Sequence, residues 1–191
     1  DHEGNEQWNR SFGEIYHNYG YCVRQTNDDG YIIVGKKTIG IGNDDIWLIK
    51  TDFEGNEQWS RTFGGNQEEE GYSVQQTLDD GYILTGYTES YGVGARDIWL
   101  IKTDSMGIEE WNETFGGAEN DYGKSVRQIS GGGFILTGNI SSFGMGDDDV
   151  ILVKVDSNGN EQWNRIFGGY SGDNGNSIQQ LENNSYIIAG T

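Results

Sequence analysis

Two short segments carry oxygen ligands at spacings that suit a hard cation. Asp156-Ser157-Asn158-Gly159-Asn160-Glu161 offers Asp156, Asn158 and Asn160, and Asp52-Phe53-Glu54-Gly55-Asn56-Glu57 offers Asp52 and Asn56. Calcium takes six to eight such oxygens, so it is the candidate ion. The run Asp147-Asp148-Asp149 is a further carboxylate cluster. The same Asp-x-x-Gly spacing also suits a plain hairpin turn, which favours Asp first and Gly fourth. Nucleophilic and acid–base chemistry finds little footing. His2 is terminal, His17 falls in an inter-strand loop, and Cys22 occupies a position that other parts of the chain fill with serine. There is no Ser–His–Asp grouping, HExxH motif or Walker loop, so the chain is expected not to be an enzyme. Three Gly-x-Gly triplets, at Gly40, Gly92 and Gly144, precede strand-like segments rather than helices and read as loop bends. Four sequons, at Asn9, Asn112, Asn139 and Asn183, are glycosylation candidates, all expected on the surface. The acidic run Glu68-Glu69-Glu70 reads as solvated.

These residues sit in 191 residues with 31 acidic and 12 basic side chains, a net charge of −19, 31 glycines, no proline and one cysteine. That charge opposes a phosphate backbone, so nucleic acid is not an expected partner. No apolar run is long enough to span a membrane as a helix. One cysteine permits no internal disulfide. A first residue of Asp1 without a leader suggests a processed chain, an excised one, or part of a larger one. Six tryptophans and 13% aromatics argue for a packed protein despite the polarity.

The elements that must position the candidate residues recur. Gln7-Trp8-Asn9-Arg10-Ser11-Phe12-Gly13 returns at Trp59, Trp111 and Trp163, at spacings of 51, 52 and 52 residues. Asp29-Gly30-Tyr31-Ile32-Ile33 returns at 80, 132 and 184, and Cys22-Val23-Arg24-Gln25 at 73, 125 and 177. Asp45-Ile46-Trp47-Leu48-Ile49-Lys50 has only two further copies, around Trp99 and Ile151. The period gives repeats 1–50, 51–102, 103–154 and 155–191, the last without its third block, in one repeat domain.

Each block is short, rich in β-branched and aromatic residues, and bounded by Gly, Asn and Asp, which are strand signals. No segment holds a 3.6-residue apolar period, so helix is not expected. Tight turns are expected at Asn27–Gly30 and Leu78–Gly81, with glycine left-handed, and at Asp156–Gly159. Four antiparallel strands in about 52 residues make one blade, so the expected fold is an all-β, β-propeller-like array of four four-stranded blades. The tryptophans, Trp8, Trp47, Trp59, Trp99, Trp111 and Trp163, are expected to be structural and to supply cohesion between blades. Trp8 is expected to be less buried than the others.

The pattern Gly-Tyr-Ile-Ile…Gly-x-Gly-x-x-Asp-Ile-Trp-Leu-Ile-Lys-Thr-Asp-x-x-Gly-Asn-Glu-Gln-Trp resembles the propeller-type tandem repeat of many archaeal and bacterial secreted or cell-surface proteins. Its Asp-x-x-Gly followed by a strand tryptophan is also similar to blades of pyrroloquinoline-quinone-type propellers. The resemblance covers the whole chain and implies a fold. It implies an extracellular or surface setting without fixing an activity.

Strand counting gives fifteen, opening on a fourth strand at Glu3–Phe12 and stopping after a second strand. The ring is therefore expected to be incomplete. The chain is an excerpt of a longer propeller, or a subunit that completes its sheets with a neighbouring copy, or a closed four-bladed ring with one defective blade. The expected function is a non-enzymatic structural or adhesive one, with copies of the chain as partners through the terminal strands. The alternative is a carbohydrate- or protein-binding module of a larger surface protein. Tyr19, Tyr87, Tyr91, Phe143 and Tyr170 are the loop aromatics a glycan would use.

Overall fold

A computed structural model describes residues 2–13 and 17–191. Among them are fourteen strands and no helix: β1 (Asn18–Gln25), β2 (Tyr31–Gly40), β3 (Asn43–Thr51), β4 (Glu57–Phe63), β5 (Glu69–Gln76), β6 (Tyr82–Thr88), β7 (Asp97–Thr103), β8 (Glu109–Phe115), β9 (Asp121–Gln128), β10 (Phe134–Ile140), β11 (Asp149–Val155), β12 (Glu161–Phe167), β13 (Gly175–Gln180) and β14 (Tyr186–Gly190). They form three four-stranded antiparallel sheets, β1–β4, β5–β8 and β9–β12, and a two-stranded sheet, β13–β14. Each sheet is a meander with strands in chain order. The sheets are out of phase with the sequence repeats: the boundary after residue 50 falls inside β3.

The middle strands are buried along their lengths because both faces are covered. β6, β7 and β10 are buried along their whole lengths, whereas β8 and β12 are mostly exposed. Alternate residues serve opposite neighbours. Leu84 and Ile101 pack with Ile32, Val34, Ile46 and Leu48 of the first sheet. Ile83 and Leu100 pack with Val126, Phe134 and Leu136 of the third. A smaller core of Ile135, Leu152 and Ile178 joins the third sheet to the fourth. The succession is open: no closing interface of this kind joins the fourth sheet to the first among the described residues.

One device is repeated at each junction. The fourth-strand tryptophan packs at a steep angle, 57–63° between ring planes, against the aromatic that opens the second strand of the next sheet. Trp59 meets Tyr82 at 5.7 Å, Trp111 meets Phe134 at 5.8 Å, and Trp163 meets Tyr186 at 6.2 Å. At the first two of these junctions the ring also covers a turn glycine. A β-carbon on Gly107 would lie 2.7 Å from the Trp59 ring, and one on Gly159 2.9 Å from Trp111. These glycines are also left-handed, with φ of 72° and 88°, so two requirements exclude a side chain there.

Three expectations change. Residues 3–12 form no strand, although Trp8 still docks on Tyr31 at 5.7 Å and over Gly55, as a fourth-strand tryptophan does. A fourth strand needs a third beside it, and no strand lies there among the described residues. In the turns before β2 and β6, Asp29 and Asp80 are left-handed (φ 62° and 63°) rather than Gly30 and Gly81. Those two glycines are needed for space instead: β-carbons there would sit 2.2 Å from the carbonyls of Thr51 and Thr103. Finally, Glu68-Glu69-Glu70 is not a solvated run. Glu69 is fully buried and Glu70 bonds Lys36 at 2.6 Å.

Candidate functional site

The first strands β1, β5, β9 and β13 are neighbours across the junctions, so residues at one repeat position converge there. Cys22, Ser73, Ser125 and Ser177 share that position and line a cavity of about 390 Å³. Tyr21, Tyr72, Arg24, Lys124 and Arg127 complete much of its wall. Lys124 Nζ lies 4.0 Å from the centre of the Tyr72 ring and 4.8 Å from Tyr122, a cation–π cradle. Burial pulls the Lys124 and Arg127 pKa values down, and the nearby charge of Arg24 adds to the effect at Arg127. Among the described residues none of these three cations is in an ion pair. In a chain of net charge −19, this is a local basic concavity suited to an anionic group.

The candidate calcium residues sit in the turns between third and fourth strands. Asp52 Oδ1 accepts the amides of Glu54 and Asn56 at 2.9 and 2.8 Å, and its Oδ2 accepts the Asn56 side-chain amide at 2.9 Å. Asp156 does the same with Asn158 and Asn160. These bonds hold both carboxyl pKa values down, the Asn56 and Asn160 side chains contributing most. The carboxylates thus cap their own turns, and Asn56 and Asn160 point NH2 rather than oxygen at them. No group of three or more His, Cys, Asp or Glu side chains converges anywhere among the described residues.

Of the sequon asparagines, Asn9, Asn112 and Asn183 are exposed. Asn139, expected on the surface, lies instead inside β10; it is buried and its Nδ2 donates to Asp148 Oδ2 at 3.2 Å. Trp47 and Trp99 are buried, Trp59, Trp111 and Trp163 half-buried, and Trp8 is 40% exposed. Trp99 Nε1 donates to Asn112 Oδ1 at 3.0 Å. Tyr19, Tyr91, Phe143 and Tyr170 are exposed, whereas Tyr87 is buried. Tyr91 and Trp99 border an open cleft of about 510 Å³ that also holds Glu109 and Glu113. His2 and His17 are exposed, and Cys22 is half-buried.

Sequence reasoning singled out Asp149 and Glu69 only within acidic runs and missed the buried set to which they belong. Asp45, Asp97 and Asp149 open or nearly open the third strands, and Glu69, Asp121 and Asp173 stand at or just before the next first strands. All but half-buried Asp173 are buried. The Gly-x-Gly loops fold onto them: Val93 and Gly94 donate to Asp97 Oδ2 at 3.0 and 2.9 Å, and Met145 to Asp149 Oδ2 at 2.7 Å.

The fourth sheet ends at β14, which among the described residues pairs only with β13. Leu181 donates to Ser185 O at one end of this hairpin, and Asn174 and Thr191 exchange bonds at the other. By alternation, the amides of Tyr186, Ile188 and Gly190 point away from β13. Ile187 on this edge strand is 56% exposed.

No family model matches this chain, and no curated protein does. Among solved structures, a protein of unknown function from Bacteroides caccae is similar over 93% of this chain, with a TM-score of 0.59 and 11% identity. The chain spans 55% of that protein's length. At this identity the likeness concerns the fold alone. A tail fiber of Staphylococcus aureus phage P68 also matches, at a TM-score of 0.31 and 9% identity, over 87% of this chain and 44% of that one.

Proposed function

We propose that the chain is a β-propeller-like repeat segment with a structural or adhesive, non-enzymatic role outside the cell, and that copies associate head to tail. The observation that carries this reading is the two-stranded last sheet. It offers an open β14 edge, while residues 3–12 have the fourth-strand sequence and already place Trp8 on the first sheet as a preceding sheet would. Seating the fourth sheet of one copy beside the first sheet of the next continues the junction pattern. An unpaired edge is a template for strand addition, and such a heterologous contact builds rings or filaments. Sedimentation velocity over rising concentration, at moderate salt, tests it. The wild-type chain associates, and Ile187→Lys, which puts a charge on the edge strand, stays monomeric. A wild-type chain that remains monomeric at high concentration refutes association.

The basic concavity of the first strands favours a second reading, a binding module for acidic glycans or acidic protein segments. Arg127→Ala together with Lys124→Ala then abolishes retention on an acidic-polysaccharide matrix and leaves association unchanged.

A further inference from the structure

Four buried side-chain atoms have no hydrogen-bond partner among the described residues: Asn43 Oδ1, Asp45 Oδ1, Asn139 Oδ1 and Asp149 Oδ1. All are oxygens, so what they lack is positive charge or a donor. Two of them, on Asp45 (7% exposed) and Asp149 (1% exposed), face a second acid. A β-carbon on Gly64 would lie 2.2 Å from Asp45 Oδ1 and 2.6 Å from Glu69 Oε2, which bounds the two oxygens to about 4.8 Å apart. A β-carbon on Gly168 would lie 1.8 Å from Asp149 Oδ1 and 2.9 Å from Asp173 Oδ2. Asp97 and Asp121 flank Gly116 in the same way, at 2.5 and 2.4 Å.

The second acid of each pair has backbone donors, one of them on the very oxygen that faces its partner. Glu69 Oε1 accepts Thr88 Oγ1 and the amides of Glu89 and Ser90, and its Oε2 accepts the Gly65 amide at 2.9 Å. Asp173 Oδ2 accepts the Gly169 amide at 3.0 Å. None of these acids is in an ion pair with Lys, Arg or His among the described residues. At the first junction Asn43 bonds Gly65 O through Nδ2 at 3.3 Å, and its own Oδ1 is unpartnered. Two carboxylates this close, both buried at the first pair and one buried at the second, cannot both carry charge without a counter-ion between them.

We propose that the pairs Asp45–Glu69 and Asp149–Asp173 each hold a calcium ion that ties one sheet to the next. Calcium–oxygen bonds of about 2.3–2.6 Å span this separation, and the ion accepts the irregular shell that two carboxylates, backbone carbonyls and water would give. This site is distinct from the Asp52 and Asp156 turns, whose carboxylates are already capped.

The test is thermal unfolding of the full chain at neutral pH in chelator and in millimolar calcium. Wild type is expected to gain about 5 °C or more with calcium, because an ion bound only to the folded state stabilises it. Asp45→Asn with Asp149→Asn should abolish the gain while melting no lower than wild type in chelator, since the amides relieve repulsion at nearly the same shape. Asp52→Asn with Asp156→Asn should keep the gain. Should the first double variant fail to fold, equilibrium dialysis of wild type against labelled calcium decides: at least two ions per chain support the proposal, and none overturns it. A melt indifferent to calcium that rises on acidification, as a shared proton gives, overturns it. So does a calcium gain that survives Asp45→Asn with Asp149→Asn, or is lost only with the turn variants.

Discussion

Replacing Gly107 by alanine loads the tryptophan docking device between the first and second sheets. The residue has φ of 72°, and its added methyl would stand 2.7 Å from one Trp59 ring carbon and 2.9 Å from another. The backbone term costs about 1–2 kcal/mol for an L-residue held left-handed. Moving the indole off its seat forfeits the edge-on contact with Tyr82, worth about 0.5–1.5 kcal/mol beyond burial, and some burial besides. The sum is about 2–4 kcal/mol, or roughly 5–12 °C in Tm for a chain of this size. Gly42→Ala is the control: its φ is 70°, yet nothing lies within 4 Å of a β-carbon there, so it pays the backbone term alone. Urea unfolding of both variants, repeated in a Trp59→Ala background, separates the two terms. In that background the Gly107→Ala cost should fall to the Gly42→Ala value. Equal costs for the two glycines in the wild-type background, or no coupling to Trp59, would refute the docking account.

Other outcomes follow from single contacts. Burial, then the charges of Glu69 and Asp44, push the Asp45 carboxyl up to about 6 from 3.8. A raised folded-state value means the stability it permits is complete below about pH 4 and is lost as pH rises through 6. In chelator, Asp45→Asn should therefore flatten the Tm profile between pH 4 and 6 and melt higher than wild type at pH 7. Lys102 is buried and donates to Thr103 O, Glu110 Oε2 and Asp79 Oδ2 at 2.9, 2.8 and 3.0 Å. Lys102→Met should cost about 1–3 kcal/mol in urea unfolding, mainly by orphaning the buried carbonyl. Glycopeptide mapping after expression in a glycosylating host should find carbohydrate only at Asn9, Asn112 or Asn183, because Asn139 is closed off in β10.

The strand order was legible because each block is short, β-rich and bounded by turn residues, and because the same blocks recur in the same order. The tryptophans advertised the junctions by type alone. The turn conformations were less legible. Asp-Asp-Gly invites a left-handed glycine, but the carbonyl of Thr51 claims the space above Gly30, and Asp29 takes the positive φ instead. The strand expected at Glu3–Phe12 failed because strandness belongs to a pair, and a matching sequence cannot supply its own partner. The acid pairs were hidden more deeply. Asp45 and Glu69 lie 24 positions apart in the chain and meet only across two sheets. Glu69 also stood within three identical glutamates, where alternation leaves no trace. What the sequence did hold was a recurrence: Asp45, Asp97 and Asp149 stand 52 residues apart.

Each sheet completes its strand pairing in chain order before the next begins, and among the described residues packs only on the sheets next to it in that order. The molecule therefore behaves like a short row of coupled units rather than a single indivisible core. The middle sheets are clamped from both sides, whereas the two-stranded last sheet is clamped from one and has the least to lose. Heat or denaturant should peel the row from that end inward, and amide exchange should slow progressively from β14 toward β6 and β7. A gene that lengthened or shortened this row by one period would leave every remaining junction chemically unchanged, so the number of units is the property of the protein most open to variation.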